Sequence, residues 1–364
     1  MDRPPSSLDF AVIGHQDSWQ NITDSINCIR AADQESLPLD KIKDIFSFIP
    51  PRDLFKVKVR SATGQVVNGV YIETFIDPDK LTPEFTRTNI NKVMKAASHA
   101  KKMGAKIITL GGFTSLMLEG NVDELSGTEN KFTTGNTLTA AFIVKGIEKA
   151  AADQGANLKQ ATVLIIGATG DIGIACINYF KHKIKKFLLC ARNNSRLEKL
   201  SLNLLKENID VTFSVCLHEL VEDADIIICV ASSGGIKLSN CKKDAIICDA
   251  GYPKNLENTI EEDAGVHLFH GGMGQVINGY NFIPDYSNDI YRYAAPYVIH
   301  GCILEAMVLA FENKFETYSA GKGNITPESI DEIYGLSVKH GIHLAPFYNA
   351  KGLWHEAPIN KTVQ

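Results

Sequence analysis

The sequence predicts an α/β protein: a doubly wound parallel-sheet Rossmann domain inserted between an N-terminal α/β region and a C-terminal helical region. Three observations predict it. Beyond residue 155, short apolar runs alternate with helical stretches; one of those runs leads straight into a glycine-rich turn that opens a helix; and the segments on either side carry different patterns. The expected units are residues 1–155, 156–280 and 281–364. A chain of 364 residues exceeds one ordinary core and leaves room for a substrate-handling region beside a cofactor domain.

Taken in order, the segment up to about Pro51 has one apolar run, FAVIGH, and is expected to carry little chemistry. The alternation in FKVKV and VVNGVYIETF, around the turn signal Thr63-Gly64, predicts a β-hairpin. Asn91 to Met103 has helical spacing and leads into the buried-strand pattern KIITLGGFTS. A polar loop follows near Asn121 to Asn130, then a helix from Thr137 to Gln154. Six apolar strands come next: TVLIIG, FLLCA, VTFSV, DIIICV, AIICDA and VHLF. After Gly279 a tyrosine-rich passage precedes an apolar helix from about Tyr297 to Phe311. A last helix starts at Pro327 with Thr326 as its N-cap, and from about Tyr348 the chain reads as a tail.

The turn Gly167-Ala168-Thr169-Gly170-Asp171-Ile172-Gly173 lies between the strand TVLIIG and the helix IGIACINYF. Glycine permits a tight turn and close approach to a pyrophosphate, whose charge then meets the N–H groups at the helix start. NAD-specific domains place a carboxylate at the end of the second strand, but here FLLCA ends in Ala191, Arg192, Asn193, Asn194, Ser195 and Arg196. Arg192 and Arg196 match a 2'-phosphate, which predicts NADPH over NADH. The fourth and fifth strands end in loops holding Ala231 and Ser232, and Gly251 and Tyr252, where the nicotinamide is expected. In the second of these loops Asp249, Tyr252 and Lys254 stand either as catalytic groups or as structural loop residues.

A net charge of -5 and a pI of about 6.1 give no electrostatic reason to bind nucleic acid. None of the eight cysteines forms a CxxC pair, so no metal site is expected. Several cysteines lie in apolar runs, which suggests inert core thiols in a reducing compartment. No signal peptide is evident and no run of apolar residues is long enough to span a membrane, so a cytoplasmic location is expected.

Several stretches together are more specific than any Rossmann turn: VIGH, ATGQVVNGVYIET, LGGFTS, FTTGNTLTA, QATVLIIGATGDIG, ARN, DAGYPKNL and CILEAM. On these, and on Ser98-His99-Ala100, the chain resembles the long-chain acyl-[acyl-carrier-protein] reductases best known from cyanobacteria, the aldehyde-forming half of a bacterial alkane pathway. The likeness extends over nearly the whole chain, the tail YNAKGLWHEAPINKTVQ excepted.

By itself Cys302 reads as a core residue near the start of an apolar helix. The resemblance implies instead that it carries the acyl group as a thioester. It would accept the chain from acyl carrier protein or acyl-CoA, and NADPH would reduce the acyl-enzyme to a fatty aldehyde. An aldehyde-deformylating oxygenase is the implied downstream partner. Donors for the acyl oxygen are expected from LGGFTS (Gly112, Phe113, Thr114, Ser115) and FTTGNT (Thr134, Gly135, Asn136, Thr137), which also read as turn and capping residues. The family carries an apolar residue where this chain has His300, which leaves the activating base open. The rival readings are another NADPH-dependent dehydrogenase with Cys302 inert, or a non-catalytic NADPH sensor.

Overall fold

Two sets of apolar strands build two six-stranded sheets in the computed structural model. It describes residues 8–354 apart from 17, 29, 31–33, 78–79, 119–130, 253, 257–264, 287–291 and 322. The polar loop expected near Asn121 to Asn130 lies outside the described residues.

The first sheet starts with β1 (Phe10–Gly14), β2 (Arg52–Arg60), β3 (Val66–Glu73), β4 (Ile107–Leu110) and β5 (Lys131–Thr133). β2 and β3 form the expected antiparallel hairpin. Along β2, Phe55, Val57 and Val59 point into the core while Lys56, Lys58 and Arg60 face water, the period-2 pattern of a strand with one buried face. The second sheet comprises β6 (Thr162–Ile166), β7 (Lys186–Cys190), β8 (Val211–Ser214), β9 (Ile226–Cys229), β10 (Ile246–Asp249) and β11 (His267–His270). All six are parallel, in the order β11-β10-β9-β6-β7-β8. Strand order reverses between β6 and β9, the place where open α/β sheets bind ligands at their carboxyl ends.

Four further strands follow: β12 (Met273–Val276), β13 (Tyr280–Ile283), β14 (Val298–His300) and β15 (Ile342–Leu344). β13 returns to the first sheet, whose order is β13-β2-β3-β1-β4-β5, while β14, β12 and β15 form a small sheet. The Asn136–Asp153 helix packs against the Gly301–Phe311, Pro327–Lys339 and Asp171–Phe180 helices. One core cluster joins its buried side chains to residues of both large sheets, which is why this helix is apolar nearly all round. Among the described residues no helix is long and apolar enough to cross a membrane.

Three expected elements differ. The helix of residues 91–103 begins earlier, at Pro83, behind the N-cap Thr82. The apolar run from Tyr297 is a strand before it is a helix: Tyr297 has φ +57, residues 298–300 pair with β12, and the helix starts at Gly301. The tail begins with a short antiparallel pair, Tyr348–Asn349 and Gly352–Leu353, and the Trp354 indole N–H donates to the Leu268 carbonyl at 2.7 Å.

Candidate active site

A cleft of about 540 Å³ runs from the carboxyl ends of β6, β7, β9 and β10 to those of β1 and β4, and to the start of the Gly301–Phe311 helix. That size falls in the range of about 300–1,000 Å³ usual for ligand pockets.

On the second-sheet side the cleft is lined by Gly167, Thr169, Gly170, Asp171 and Ile172. Gly167 has φ +91, and its N–H and that of Ala168 both donate to the Cys190 carbonyl, at 2.8 and 3.1 Å. A Cβ on Gly173 would come within 2.4 Å of the Gly167 carbonyl oxygen, so Gly173 lies behind the turn and lets it close. The Asp171–Phe180 helix therefore presents its N-terminus to the cleft across bare backbone, a cradle that fits a pyrophosphate. Ala191, Arg192, Asn193 and Arg196 line the β7 end. The Asn193 side chain caps the following helix by accepting from the Arg196 N–H at 2.9 Å. Both guanidiniums are exposed at the rim, and Arg192 Nη2 donates to Ser232 Oγ at 3.2 Å.

Ala231, Ser232, Gly251 and Tyr252 line the β9 and β10 ends. The Asp249 carboxylate accepts from the N–H groups of Gly251, Asn255 and Leu256 at 3.0–3.1 Å, so it shapes its loop. Lys254 Nζ donates to the Asp249 carbonyl at 3.2 Å. Asn255, missed in the sequence, clamps the two loops together: its side chain accepts from Ala231 N–H and donates to the Ala231 and Ser233 carbonyls.

Cys302 lines the far wall. It is the second residue of its helix, where the positive end of the helix dipole favours negative charge. Its carbonyl accepts from Thr109 Oγ1 at 2.8 Å, and a Cβ on Gly111 would lie 3.7 Å from its sulfur. Gly135, with φ +71, runs so close behind that a Cβ there would meet Cys302 Cα at 2.3 Å. All eight cysteines are thiols. Burial pushes Cys176 up to about 12 and Cys190 up to about 11, and holds Cys229 and Cys248 far above the usual thiol range, which fits inert core residues.

Of the expected oxyanion donors, Gly112, Phe113, Ser115, Thr134 and Asn136 line the cleft; Thr114, Gly135 and Thr137 do not. Many of their polar groups are hydrogen-bonded inside the protein. The Thr114 hydroxyl donates to the Ile13 and Gly111 carbonyls, that of Ser115 to the Gly112 carbonyl, and that of Thr137 pairs with Ser319 Oγ. Asn136 Nδ2 donates to Asp171 at 2.8 Å, linking the two walls. The Thr134 hydroxyl accepts from Asn136 N–H at 3.4 Å and retains its own proton to donate.

Two residues were not anticipated. His15, from the segment expected to carry little chemistry, is buried in the cleft wall, with rings of Phe113 and Tyr252 at 5.0 and 4.7 Å. Its Nε2 accepts from Phe113 N–H at 3.1 Å, which makes the ring neutral with its proton on Nδ1, 3.2 Å from the Gln16 carbonyl. The available signal was its place at the carboxyl end of an apolar strand. Glu305, one turn beyond Cys302, is fully buried and accepts from Thr133 Oγ1, Leu138 N–H at 2.9 Å and Ser319 Oγ at 2.9 Å. Burial raises its pKa above the usual carboxylate value. It ties the FTTGNT turn to the helix that bears the cleft thiol.

Residues 149–270 match the family profile described as Shikimate / quinate 5-dehydrogenase, a span that takes in the whole second sheet. The long-chain acyl-[acyl-carrier-protein] reductase of Synechococcus elongatus is 33% identical over 344 residues, covering 91% of this chain and 97% of the relative. The chain belongs to the long-chain acyl-[acyl-carrier-protein] reductase family. For this reductase the dehydrogenase match ends at residue 270, so Cys302, His15 and Gly135 all fall outside it. The aminotransferase PigE of a Serratia species is 24% identical over 293 residues, 79% of this chain but 34% of that protein. The solved L-tryptophan dehydrogenase of Nostoc punctiforme shares 12% identity, with 91% of this chain and 80% of that one covered at a TM-score of 0.37, a likeness too slight to build on.

Proposed function

We propose that this reductase converts long-chain acyl thioesters to fatty aldehydes with NADPH, through an acyl group carried on Cys302. Acyl carrier protein, or coenzyme A as a second donor, would deliver the chain. One observation carries the reading: Cys302 and the glycine-rich turn after β6 line one and the same cleft.

In the first step the Cys302 sulfur adds to the acyl carbon, the carbon–sulfur bond to the carrier breaks, and the carrier thiol leaves with a proton. Negative charge on the sulfur and on the acyl oxygen falls at the positive end of the Gly301–Phe311 helix. The Thr134 hydroxyl lines the cleft and is the side-chain donor assigned to that oxygen. When bound, NADPH supplies the hydride that reduces the acyl carbon. Arg192 and Arg196 would hold its 2'-phosphate at the rim, and the Asp171–Phe180 helix start would hold its pyrophosphate. The carbonyl then re-forms as the carbon–sulfur bond to Cys302 breaks, the aldehyde leaves and the Cys302 sulfur takes up a proton, which restores the thiol. Thr109 and Gly135 fix the start of the Cys302 helix against the end of β4 throughout.

The test is intact-mass spectrometry after incubation with acyl-[acyl-carrier-protein] without NADPH. A mass gain equal to the acyl group, lost in Cys302→Ala, is expected. Aldehyde production by Cys302→Ala at the wild-type rate would overturn the covalent route.

A further inference from the structure

The turn after β8 carries three side chains that the reaction does not use. Cys216 Sγ, a nitrogen of His218 and a carboxylate oxygen of Glu219 all lie within 4.8 Å of one another. The sulfur is 3.2 Å from His218 Nδ1 and 3.6 Å from Nε2. Ser214 organises the turn: its hydroxyl donates to Glu219 Oε2 at 2.6 Å and accepts from Cys216 N–H at 2.9 Å. Ligands about 2.0–2.3 Å from a tetrahedral zinc ion sit about 3.3–3.8 Å apart, so small side-chain rotations would complete the set. Thiolate, imidazole and carboxylate together suit a soft or borderline divalent cation rather than magnesium or calcium. Two of the three residues are exposed, which leaves a fourth position open to water. Sequence spacing conceals the group, because the metal signal sought there was a cysteine pair, whereas these ligands follow one another within a single turn.

We infer that Cys216, His218 and Glu219 form a zinc-class cation site on the rim of the cleft. Its neighbours Val215 and Leu217 line that cleft, as do Arg192 and Arg196. A divalent cation that displaces one proton, from the Cys216 thiol, adds one positive charge to this rim. Added positive charge beside a pocket for a phosphorylated ligand tightens its binding, and linkage requires the ligand to tighten the metal equally. This coupling rests on the NADPH reading above; the metal site itself does not.

The experiment uses the full chain after chelator treatment, titrated with cobalt(II) in a Cys302→Ala background that removes the Cys302 thiol from the cleft. A thiolate-to-cobalt charge-transfer band saturating at one equivalent is expected. It disappears in Cys302→Ala/Cys216→Ala and weakens when His218→Ala or Glu219→Gln is added instead. No band, or a band that survives the loss of Cys216, overturns the site. Zinc should then tighten NADPH binding to the wild type about fivefold, at the lower end of ordinary coupling, and leave Cys216→Ala unchanged. An unchanged wild-type affinity discards the coupling alone, whereas failure to bind NADPH with or without zinc counts against the cofactor reading and not against the metal site.

Discussion

Adding one methyl group behind Cys302 should disable the reductase without touching substrate or cofactor directly. In Gly135→Ala the new Cβ would stand 2.3 Å from Cys302 Cα, 2.5 Å from its carbonyl oxygen and 2.6 Å from its Cβ. Carbon atoms rest about 3.5–4.0 Å apart, so the start of the Cys302 helix must retreat by roughly 1 Å. The backbone cannot rotate away from the clash cheaply, because φ is +71 at this position and alanine loses about 1–2 kcal/mol there. A displacement of about 1 Å at a reacting group costs on the order of 10²-fold in rate, or about 2.7 kcal/mol of activation free energy. The assay is the single-turnover rate of acyl transfer to Cys302, followed by intact mass, with NADPH titration and circular dichroism as checks of folding. A folded Gly135→Ala protein acylated within threefold of the wild-type rate would refute the idea that this turn positions the thiol.

Other substitutions test other parts of the cleft. Arg192→Ala should weaken NADPH binding about 10- to 100-fold, the usual value of hydrogen bonds to a charged group, while NADH binding changes little; equal losses for both in titration would remove its assigned role. Glu305→Gln leaves the donors from Leu138, Thr133 and Ser319 poorly matched and should lower stability by about 1–3 kcal/mol. Burial raises the folded pKa of Glu305, so its stabilising share is complete below the unfolded value and lost as pH rises through the folded one; the deficit of Glu305→Gln in urea unfolding should therefore shrink with rising pH. His270 behaves in the opposite sense. Burial, followed by the charge of Lys254, pushes it down to about 3, so below its ordinary value of 6.5 the unfolded chain takes up a proton that the folded chain declines. Stability should fall by about 2 kcal/mol between pH 6.5 and 5 on its account, and identical pH profiles for the wild type and His270→Gln would contradict that.

The second sheet was legible because strands buried on both faces read as unbroken apolar runs, and all six named in the sequence are present. The hairpin was legible because one face of β2 meets water. Thr326-Pro327 was recognised as a helix start, yet Thr82-Pro83-Glu84 repeats the same Thr-Pro-Glu pattern, without the side-chain cap bond that Thr326 makes, and was passed over, since the apolar spacing of that helix becomes regular only later. The helix thought to begin near Tyr297 shows the opposite difficulty. An apolar run cannot reveal whether its first turn is helix or buried strand, and the pairing of residues 298–300 with β12 decides it. That pairing puts Cys302 in the first turn of a helix, a fact bearing directly on its chemistry. His15 was hidden for another reason, and so was the packing role of Gly135, which was expected only as an oxyanion donor: their importance comes from neighbours distant in the chain, Tyr252 for one and Cys302 for the other.

β13 lies downstream of every strand in the second sheet, yet it covers the outer edge of β2, with the Phe282 ring 4.4 Å from that of Phe55. During synthesis the earlier half must therefore leave the ribosome with a bare row of hydrogen-bonding groups along that edge, and must keep it until residue 283 has emerged. A nascent chain stalled anywhere inside the dinucleotide module would expose a template for aggregation. The dinucleotide module is thus an insertion between strands of one sheet, and its length sets how long that seam stays open.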